Sequence, residues 1–310
     1  MISNWLKQLA AYSPRAGLAV AVLAAGTSAG FAQEKECENP DALRFSMIPT
    51  EETTQELELY QPVVEYLSEM TGKDIEFYLP TSYASVIEAM LGGWVDIGVH
   101  GPYSYVIAKE KDPTLEVFAT YAKHAGHFQL EGAGYQAILV THTSSGLTSI
   151  EDLKGTLLGL TDPASTSGNL LPRVAFVKEI DSSLEDYFSK VVYTGSHDLS
   201  AIAVKEGKVD AAFVATHRID NVIDRGLATF DEYNVLWTSP VIPQDPFVVR
   251  GVLCDDLKAK IAETFLSLHE IETGRTFLAN VNAVRFVPMV DADYDIIRDL
   301  KKAKDARSGN

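Results

Sequence analysis

The sequence predicts an α/β protein of two lobes, each a sheet flanked by helices, with a hinge between them. Three observations carry that prediction. Short apolar, strand-like segments alternate with amphipathic segments of helical period for most of the chain, which is the pattern of parallel βαβ units with helices on both faces of a sheet. The alternation runs as two series, with a glycine-rich crossing at Gly132-Ala133-Gly134 and no low-complexity linker, coiled coil or repeat between them. Setting a 32-residue leader aside from the 310 residues leaves about 278, at 46% hydrophobic over the whole chain. That is enough apolar material for one large or two medium domains.

Taken in order, residues 1–32 read as a secretory signal. Lys7 and Arg15 make a basic start, residues 16–25 are apolar and small, and Gly30-Phe31-Ala32 places small residues at the −3 and −1 positions of a cleavage site. The run is short for a bilayer span, and no later segment reaches the roughly 18 uninterrupted apolar residues a transmembrane helix needs. The mature chain is expected to be exported and soluble. Glu34-Lys35-Glu36 before Cys37 is charged where a lipoprotein signal is small and apolar, so no lipid anchor is expected.

Residues 43–48 read as a strand, 57–70 as an amphipathic helix, 75–79 as a strand, 83–91 as a helix and 95–99 as a strand. The second series follows with strands at 135–140, 157–161, 191–193 and 210–214 and helices at 169–180 and 197–206. A second crossing is placed between Pro240 and Pro246. Residues 255–303 look mainly helical, strongest at 257–268 and 294–300, and are expected to pack back on the first lobe. The expected domains are residues 33–134 plus 246–310 for lobe 1 and 135–245 for lobe 2. Right-handed crossovers then set the loops at the carboxyl ends of the strands, where ligands usually bind.

The formal charge of −17 becomes −19 without the leader, which holds two cations and no acid. Nucleic acid and acidic membranes are poor partners for such a surface. A small anion is still admissible, because local amides and hydroxyls at a buried helix end outweigh a distant, salt-screened net charge. The two cysteines, Cys37 and Cys254, survive into a compartment where disulfides persist. One bridge is the simplest pairing, closing a long loop for ~2–4 kcal/mol; two unrelated buried thiols are the alternative.

The segment with most chemistry is Asp162-Pro163-Ala164-Ser165-Thr166-Ser167-Gly168-Asn169-Leu170-Leu171-Pro172, with three consecutive hydroxyls and a glycine before a helical pattern. Free amides and the macrodipole at a helix start, joined by hydroxyls, suit an oxoanion. A capping box with surplus hydroxyls is the other reading of the same residues. Tyr83 follows a strand and Tyr135 adjoins the glycine-rich crossing; each offers a ring wall and a hydroxyl to a cleft, or ordinary packing. His197 opens a helix in Gly195-Ser196-His197-Asp198, either facing an anion or capping at the surface. Asp245 is held between Pro243 and Pro246, and reads as an acceptor for a proton-bearing ligand hydroxyl or as a solvated turn aspartate.

As a set, Tyr83-Ala84-Ser85-Val86-Ile87-Glu88-Ala89-Met90, Val95-Asp96-Ile97-Gly98, the 162–168 run, Ser196-His197-Asp198 and the 239–249 segment resemble the phosphonate/phosphite/hypophosphite-binding family of periplasmic ABC importer components. The resemblance covers most of residues 43–270 in order. It implies a two-lobed, type II-like solute-binding protein of the periplasm that needs no cofactor and no metal, acts as a monomer and delivers its ligand to an ABC permease. By similarity Ser165, Thr166 and Ser167 match the oxoanion-cradling run, Tyr83 and Tyr135 the cleft tyrosines, and His197 and Asp245 the remaining ligand contacts. One departure bears on the ligand. Members that take aminoalkylphosphonates carry Thr-Glu after the buried strand ending Phe213-Val214, the acid meeting the ligand's ammonium, whereas this chain has Thr216-His217. The reading therefore leans to phosphite, hypophosphite or a short alkylphosphonate.

Two other classes compete. Ser165 or Ser167 with His197 and Asp245 supplies the residue types of a serine hydrolase acting on phosphate or carboxylic esters, although no G-x-S-x-G elbow is present at the cluster. His124 and His127, with His142 nearby in sequence, suggest metal capture, against which stands the lack of a cysteine or carboxylate at metal spacing.

Overall fold

The computed structural model describes residues 36–50 and 53–308, so the leader expected over residues 1–32 lies outside them. The strands, in chain order, begin with β1 (Ala42–Met47), β2 (Asp74–Phe77), β3 (Ile97–Val99) and β4 (Glu116–Lys123). Next come β5 (Gly134–Tyr135), β6 (Ala137–His142), β7 (Leu157–Leu160), β8 (Lys190–Tyr193), β9 (Ala211–Ala215), β10 (Tyr233–Thr238) and β11 (Ile242–Pro243). β12 (Phe247–Val249) and β13 (Ala283–Pro288) complete them.

Two sheets result, ordered β13-β4-β12-β3-β1-β2 and β10-β6-β9-β7-β8. Each contains a parallel trio, β2-β1-β3 in the first and β8-β7-β9 in the second. Beside each trio the next strand runs the other way: β12 is antiparallel to β3 and β4, and β6 is antiparallel to β9 and β10. The expected parallel units are present, and each sheet extends them with antiparallel strands. A strand that enters a sheet from the other lobe arrives without a crossover helix, and so without the connection that parallel pairing needs. At the two crossings β5 and β11 pair with each other, Tyr135 opposite Ile242 and Gly134 opposite Pro243.

Helices follow the parallel strands, as the alternation predicts, at Tyr83–Leu91, Pro102–Lys111, His197–Lys205 and Thr216–Asp224. Ser82 caps the first with a reciprocal Ser82/Ser85 box. β9 is buried along all five residues, as a central strand covered on both faces must be. One face of the second sheet packs Val140, Val204, Val214 and Ile219, and the other packs Leu158, Leu160, Phe176 and Phe213. The first sheet gathers Leu43, Phe45, Tyr60, Phe247, Phe265 and Phe277, each such side chain contributing ~1.5–3 kcal/mol by leaving water.

The C-terminal quarter departs from its expectation. Helices Asp255–Ser267 and Glu272–Asn280 pack on the first sheet, but β13 interrupts the helical run. Its residues Ala283, Arg285, Phe286, Val287 and Pro288 pair with β4, and that ladder is a non-local partner that helical periodicity cannot reveal. The last helix, Asp295–Ser308, does not stay on the first sheet's side. It touches both the Pro102–Lys111 helix and the helical turns after β7. Tyr294, just before this helix, and Ile297 within it share one apolar cluster with Tyr83, Tyr103, Leu171 and Val174.

Cys37 and Cys254 form the disulfide, bridging 217 positions of sequence with Cα atoms 4.8 Å apart. Arg250 reinforces the same edge, donating to Asp96 at 2.7 and 3.0 Å and to Glu38 at 2.6 Å.

Candidate functional site

The chemistry-bearing residues gather at the carboxyl ends of the parallel strands. Tyr83 follows β2, Tyr103 follows β3, Ser165 to Ser167 follow β7, His197 follows β8 and His217 follows β9. Each lies at the start of a helix or within its first turn. The positive ends of several macrodipoles thus converge on one place in a chain whose formal charge is −17.

The hydroxyl run is the most constrained part. Its helix begins at Thr166, three residues before the predicted start, as two π-helical turns, Thr166–Leu170 and Pro172–Phe176, that lead into Val177–Glu179. Pro172 has no N–H for the ordinary ladder, and the backbone widens instead, with Leu170 N–H donating to the Ser165 carbonyl at 3.0 Å and Leu171 N–H to that of Thr166. Ser165 is the N-cap and accepts from Gly168 N–H at 3.0 Å. A Cβ on Gly168 would stand 2.1 Å from Thr161 Oγ1 and 3.0 Å from His197 Cε1. Only glycine permits that approach. Ser165 thus caps the helix as the capping reading expects, while Ser165, Thr166 and Ser167 are each no more than 1% exposed.

His197 faces this run. Its Nδ1 accepts the Ala215 backbone N–H at 3.2 Å and lies 3.0 Å from Thr161 Oγ1, while Nε2 lies 3.0 Å from Ser167 Oγ and 3.3 Å from Ser165 Oγ. Burial, aided by the nearby Arg218 and His217, pushes its pKa down to about 3. A neutral ring whose Nδ1 accepts must carry its proton on Nε2. That Nε2–H points at the hydroxyl run as a donor. It is therefore no general base for serine, and Asp245 makes its close contacts with His217 and Arg218 instead. The triad geometry of the hydrolase alternative is absent.

The tyrosines enclose the other side. The Tyr83 hydroxyl lies beside Ser165, and that of Tyr135 beside Ser167 and Thr166. Burial raises both pKa values, so both hydroxyls stay protonated. Thr166 Oγ1 accepts the Tyr103 N–H at 2.8 Å, and Asp162 Oδ2 accepts the Tyr83 N–H at 3.4 Å.

Asp245 stands on the far wall. Its carbonyl accepts from Thr120 Oγ1 at 2.7 Å, and its Oδ2 lies 3.5 Å from both Arg218 NH2 and His217 Nε2. Burial alone would raise its pKa, but the His217 and Arg218 contacts outweigh that and hold the carboxyl below its usual value. His217 stacks edge-on against Tyr135, ring centroids 4.8 Å apart. Burial brings its pKa to about 4, against the opposing pull of Asp245. Beyond this wall lies a cavity of about 280 Å³ that His217, Arg218, Gln244 and Asp245 border.

The seven residues singled out from sequence, Tyr83, Tyr135, Ser165, Thr166, Ser167, His197 and Asp245, thus lie buried around one place. Thr161, Gly168, Arg218 and Gln244 were missed. Gly168 and Thr161 flank the quoted run, and Arg218 directly follows Thr216-His217; Gln244 carries no local signal. His124 and His127 are exposed, and among the described residues no group of three His, Cys, Asp or Glu converges for a metal.

A family model for the periplasmic substrate-binding protein of phosphonate ABC transporters matches residues 45–294. The chain belongs to the phosphonate-binding family. It is a periplasmic substrate-binding component of an ABC transporter, not an enzyme. Among curated relatives, the phosphate-import protein PhnD of Mycolicibacterium smegmatis is 29% identical over 84% of this chain and 85% of its own length. The phosphonates-binding periplasmic protein of Escherichia coli is 28% identical over 86% and 78%. The binding-protein component of a Pseudomonas aeruginosa ABC phosphonate transporter superposes with a TM-score of 0.79 at 26% identity, covering 86% of this chain and 87% of that one. A Prochlorococcus marinus binding protein in complex with methylphosphonate shares the fold with a TM-score of 0.75 at 19% identity, over 85% and 98%. Among the described residues no helix of this phosphonate-binding protein is long and apolar enough to cross a membrane.

Proposed function

We propose that this chain captures a small phosphorus oxoanion, namely phosphite, hypophosphite or a short alkylphosphonate, and delivers it as a monomer to its permease. The observation that carries the reading is the buried convergence of the Ser165–Ser167 helix start with an Nε2–H donor from His197 and two protonated tyrosines. These groups stabilise oxygen atoms bearing negative charge, and the tyrosine rings tolerate hydrogen or methyl on phosphorus. Ionised Asp245 repels a proton-free tetrahedral anion and accepts from a ligand that carries P–OH. The names of the relatives, one for phosphate import and one for phosphonates, bracket the same chemistry.

The lobes proposed are residues 33–134 plus 246–310 and residues 135–245, closing about the β5/β11 crossing. The Tyr103 to Thr166 and Tyr83 to Asp162 hydrogen bonds join them. Closure follows from the ligand's higher affinity for the state in which both lobes contribute donors.

An aminoalkyl tail would find the acids beside Asp245 engaged, since Asp245 contacts Arg218 and Asp198 lies 3.8 Å from Arg225. Calorimetric titration is expected to rank phosphite, hypophosphite or methylphosphonate ahead of 2-aminoethylphosphonate, with sulfate last. A 2-aminoethylphosphonate affinity at least tenfold above all three, worth about 1.4 kcal/mol, refutes the ranking. Binding should also raise the melting temperature and contract the protein in small-angle scattering. Indifference to every phosphorus oxoanion at millimolar concentration refutes the function.

A further inference from the structure

The segment between β4 and β5 is fastened to two different sheets. Up to His124 it belongs with the first: Lys123 pairs with Ala283 of β13, its Nζ donates to the Val281 carbonyl at 2.6 Å, and the His124 N–H donates to that of Asn282 at 3.0 Å. From His127 onward its partners lie with the second sheet. Phe230 stacks on His127 and meets Phe128, with ring centroids 5.5 and 4.9 Å apart. Thr216 Oγ1 donates to Gln129 Oε1 at 2.7 Å, and Gln129 Nε2 donates to the Leu130 and Gly134 carbonyls at 2.7 Å each.

Asp220 makes the firmest of these attachments, and the oxoanion cradle leaves it unused. It is 2% exposed, on the Thr216–Asp224 helix that follows β9. Its Oδ1 accepts the Phe128 N–H at 2.9 Å and its Oδ2 the Gln129 N–H at 3.0 Å. A Cβ on Gly126 would stand 2.0 Å from Asp220 Oδ2, so the chain comes this near only as glycine. Detaching such a carboxylate is costly, because charge-assisted bonds are strong and the acid would stay buried without them.

The other crossing changes sides at a single residue. The Gln244 N–H donates to the Ala133 carbonyl at 3.0 Å, beside the β5/β11 pair, whereas its own carbonyl accepts from Tyr294 Oη at 3.0 Å. Beyond it Asp245 is held by Thr120 of β4, and the Pro246 carbonyl accepts the His100 N–H.

We propose that Asp220 is a hinge-positioning residue: it fixes residues 126–131 to the second lobe, so that closure bends the chain at residues 124–126 and at Gln244. This rests on the two-lobe closure proposed above and moves its first boundary from Gly134 back to Ala125. Lys123 and Gly132, bonded through both backbone groups at 2.9 and 3.0 Å, become the pivot. With the loop fastened, fewer backbone dihedrals vary in the open state, which lowers the entropic cost of closing.

Pairs of spin labels read the motion directly. Leu130, Trp94 in lobe 1 and Val235 of β10 are exposed and accept labels on introduced cysteines while the native disulfide stays oxidised. Methylphosphonate is expected to shift the distance in Leu130→Cys/Trp94→Cys and to leave that in Leu130→Cys/Val235→Cys unchanged. The reverse pattern, or a shift in both pairs, overturns the inference while the oxoanion reading stands. Binding without a shift in either pair removes the closure and this inference together; failure of methylphosphonate, phosphite and hypophosphite to bind removes the functional reading as well. In Asp220→Asn the Nδ2 group faces a backbone N–H, and the second distance should broaden. Affinities for methylphosphonate and phosphite should then fall together, by about fivefold or more, with their ratio unchanged. A merely structural acid would lower the melting temperature alone, and affinities that hold, or a ratio that changes, overturn the positioning role.

Discussion

The two walls of the cleft treat buried polar groups in opposite ways. On the wall built from the Thr166 turn and His197, Ser165, Ser167 and both ring nitrogens of the histidine are within hydrogen-bonding distance of protein partners. On the wall that carries Asp245, charge is concentrated, His217 Nε2 faces the Asp245 carboxylate at 3.5 Å, and among the described residues His217 Nδ1 and Gln244 Nε2 have no hydrogen-bond partner. The polar groups of the first wall are held by one another, which suits a feature common to every ligand of the class, the oxygen atoms. The second carries the ionised Asp245, which suits a feature that differs between ligands, the presence of P–OH. Preorganised donors lower the cost of binding, and a buried carboxylate discriminates, because a proton-free anion brings it like charge in place of a hydrogen bond.

The widest expected effect comes from acid, which acts on both walls at once. His197, His217 and the buried His100 have pKa values lowered to about 3, 4 and 4, against ~6.5 in an unfolded chain. The unfolded state therefore binds more protons below pH ~6.5. The stability these residues contribute is complete above that pH and is lost as pH falls toward 4, on the order of 1 kcal/mol per pH unit for each histidine. Urea unfolding across that range measures the slope, and His217→Gln should flatten it; no slope between pH 6.5 and 4 would mean that the histidines are not held neutral.

Gly168→Ala breaks the first wall alone. The added methyl displaces Thr161 and His197, at ~1–3 kcal/mol of stability for overpacking, and the affinity loss should exceed the ~1.5–3 kcal/mol of one charged hydrogen bond. Titration with methylphosphonate checks it, and a variant that binds like wild type places the ligand elsewhere. Cys37→Ser with Cys254→Ser touches neither wall. It should lower stability by ~2–4 kcal/mol and leave the dissociation constant unchanged, while the non-reduced mature chain should weigh two hydrogens less than its dithiol.

Smallest are the single hydroxyls. Ser167→Ala and Thr166→Ala should each weaken oxoanion binding by ~1.5–3 kcal/mol with little change in melting temperature. Unchanged affinity in both, with the fold intact by circular dichroism, would dismantle the account of the first wall.

The sequence by itself determined the α/β alternation, the two series, the crossings near Gly134 and Pro243, and the seven residues now found buried together. Those are local signals: period, punctuation, a hydroxyl run before a helix, and a motif order that resembles a family. It did not determine β13, which becomes a strand through pairing with β4, or the reversed strands β6 and β12. It also left open whether His197 acts as donor or base. That was decided by the Ala215 N–H, 18 residues away in sequence, bonding to Nδ1. The cavity and the pairing of His217 with Asp245 belong to tertiary structure too, since whether a polar atom has a partner depends on what the rest of the chain brings close to it.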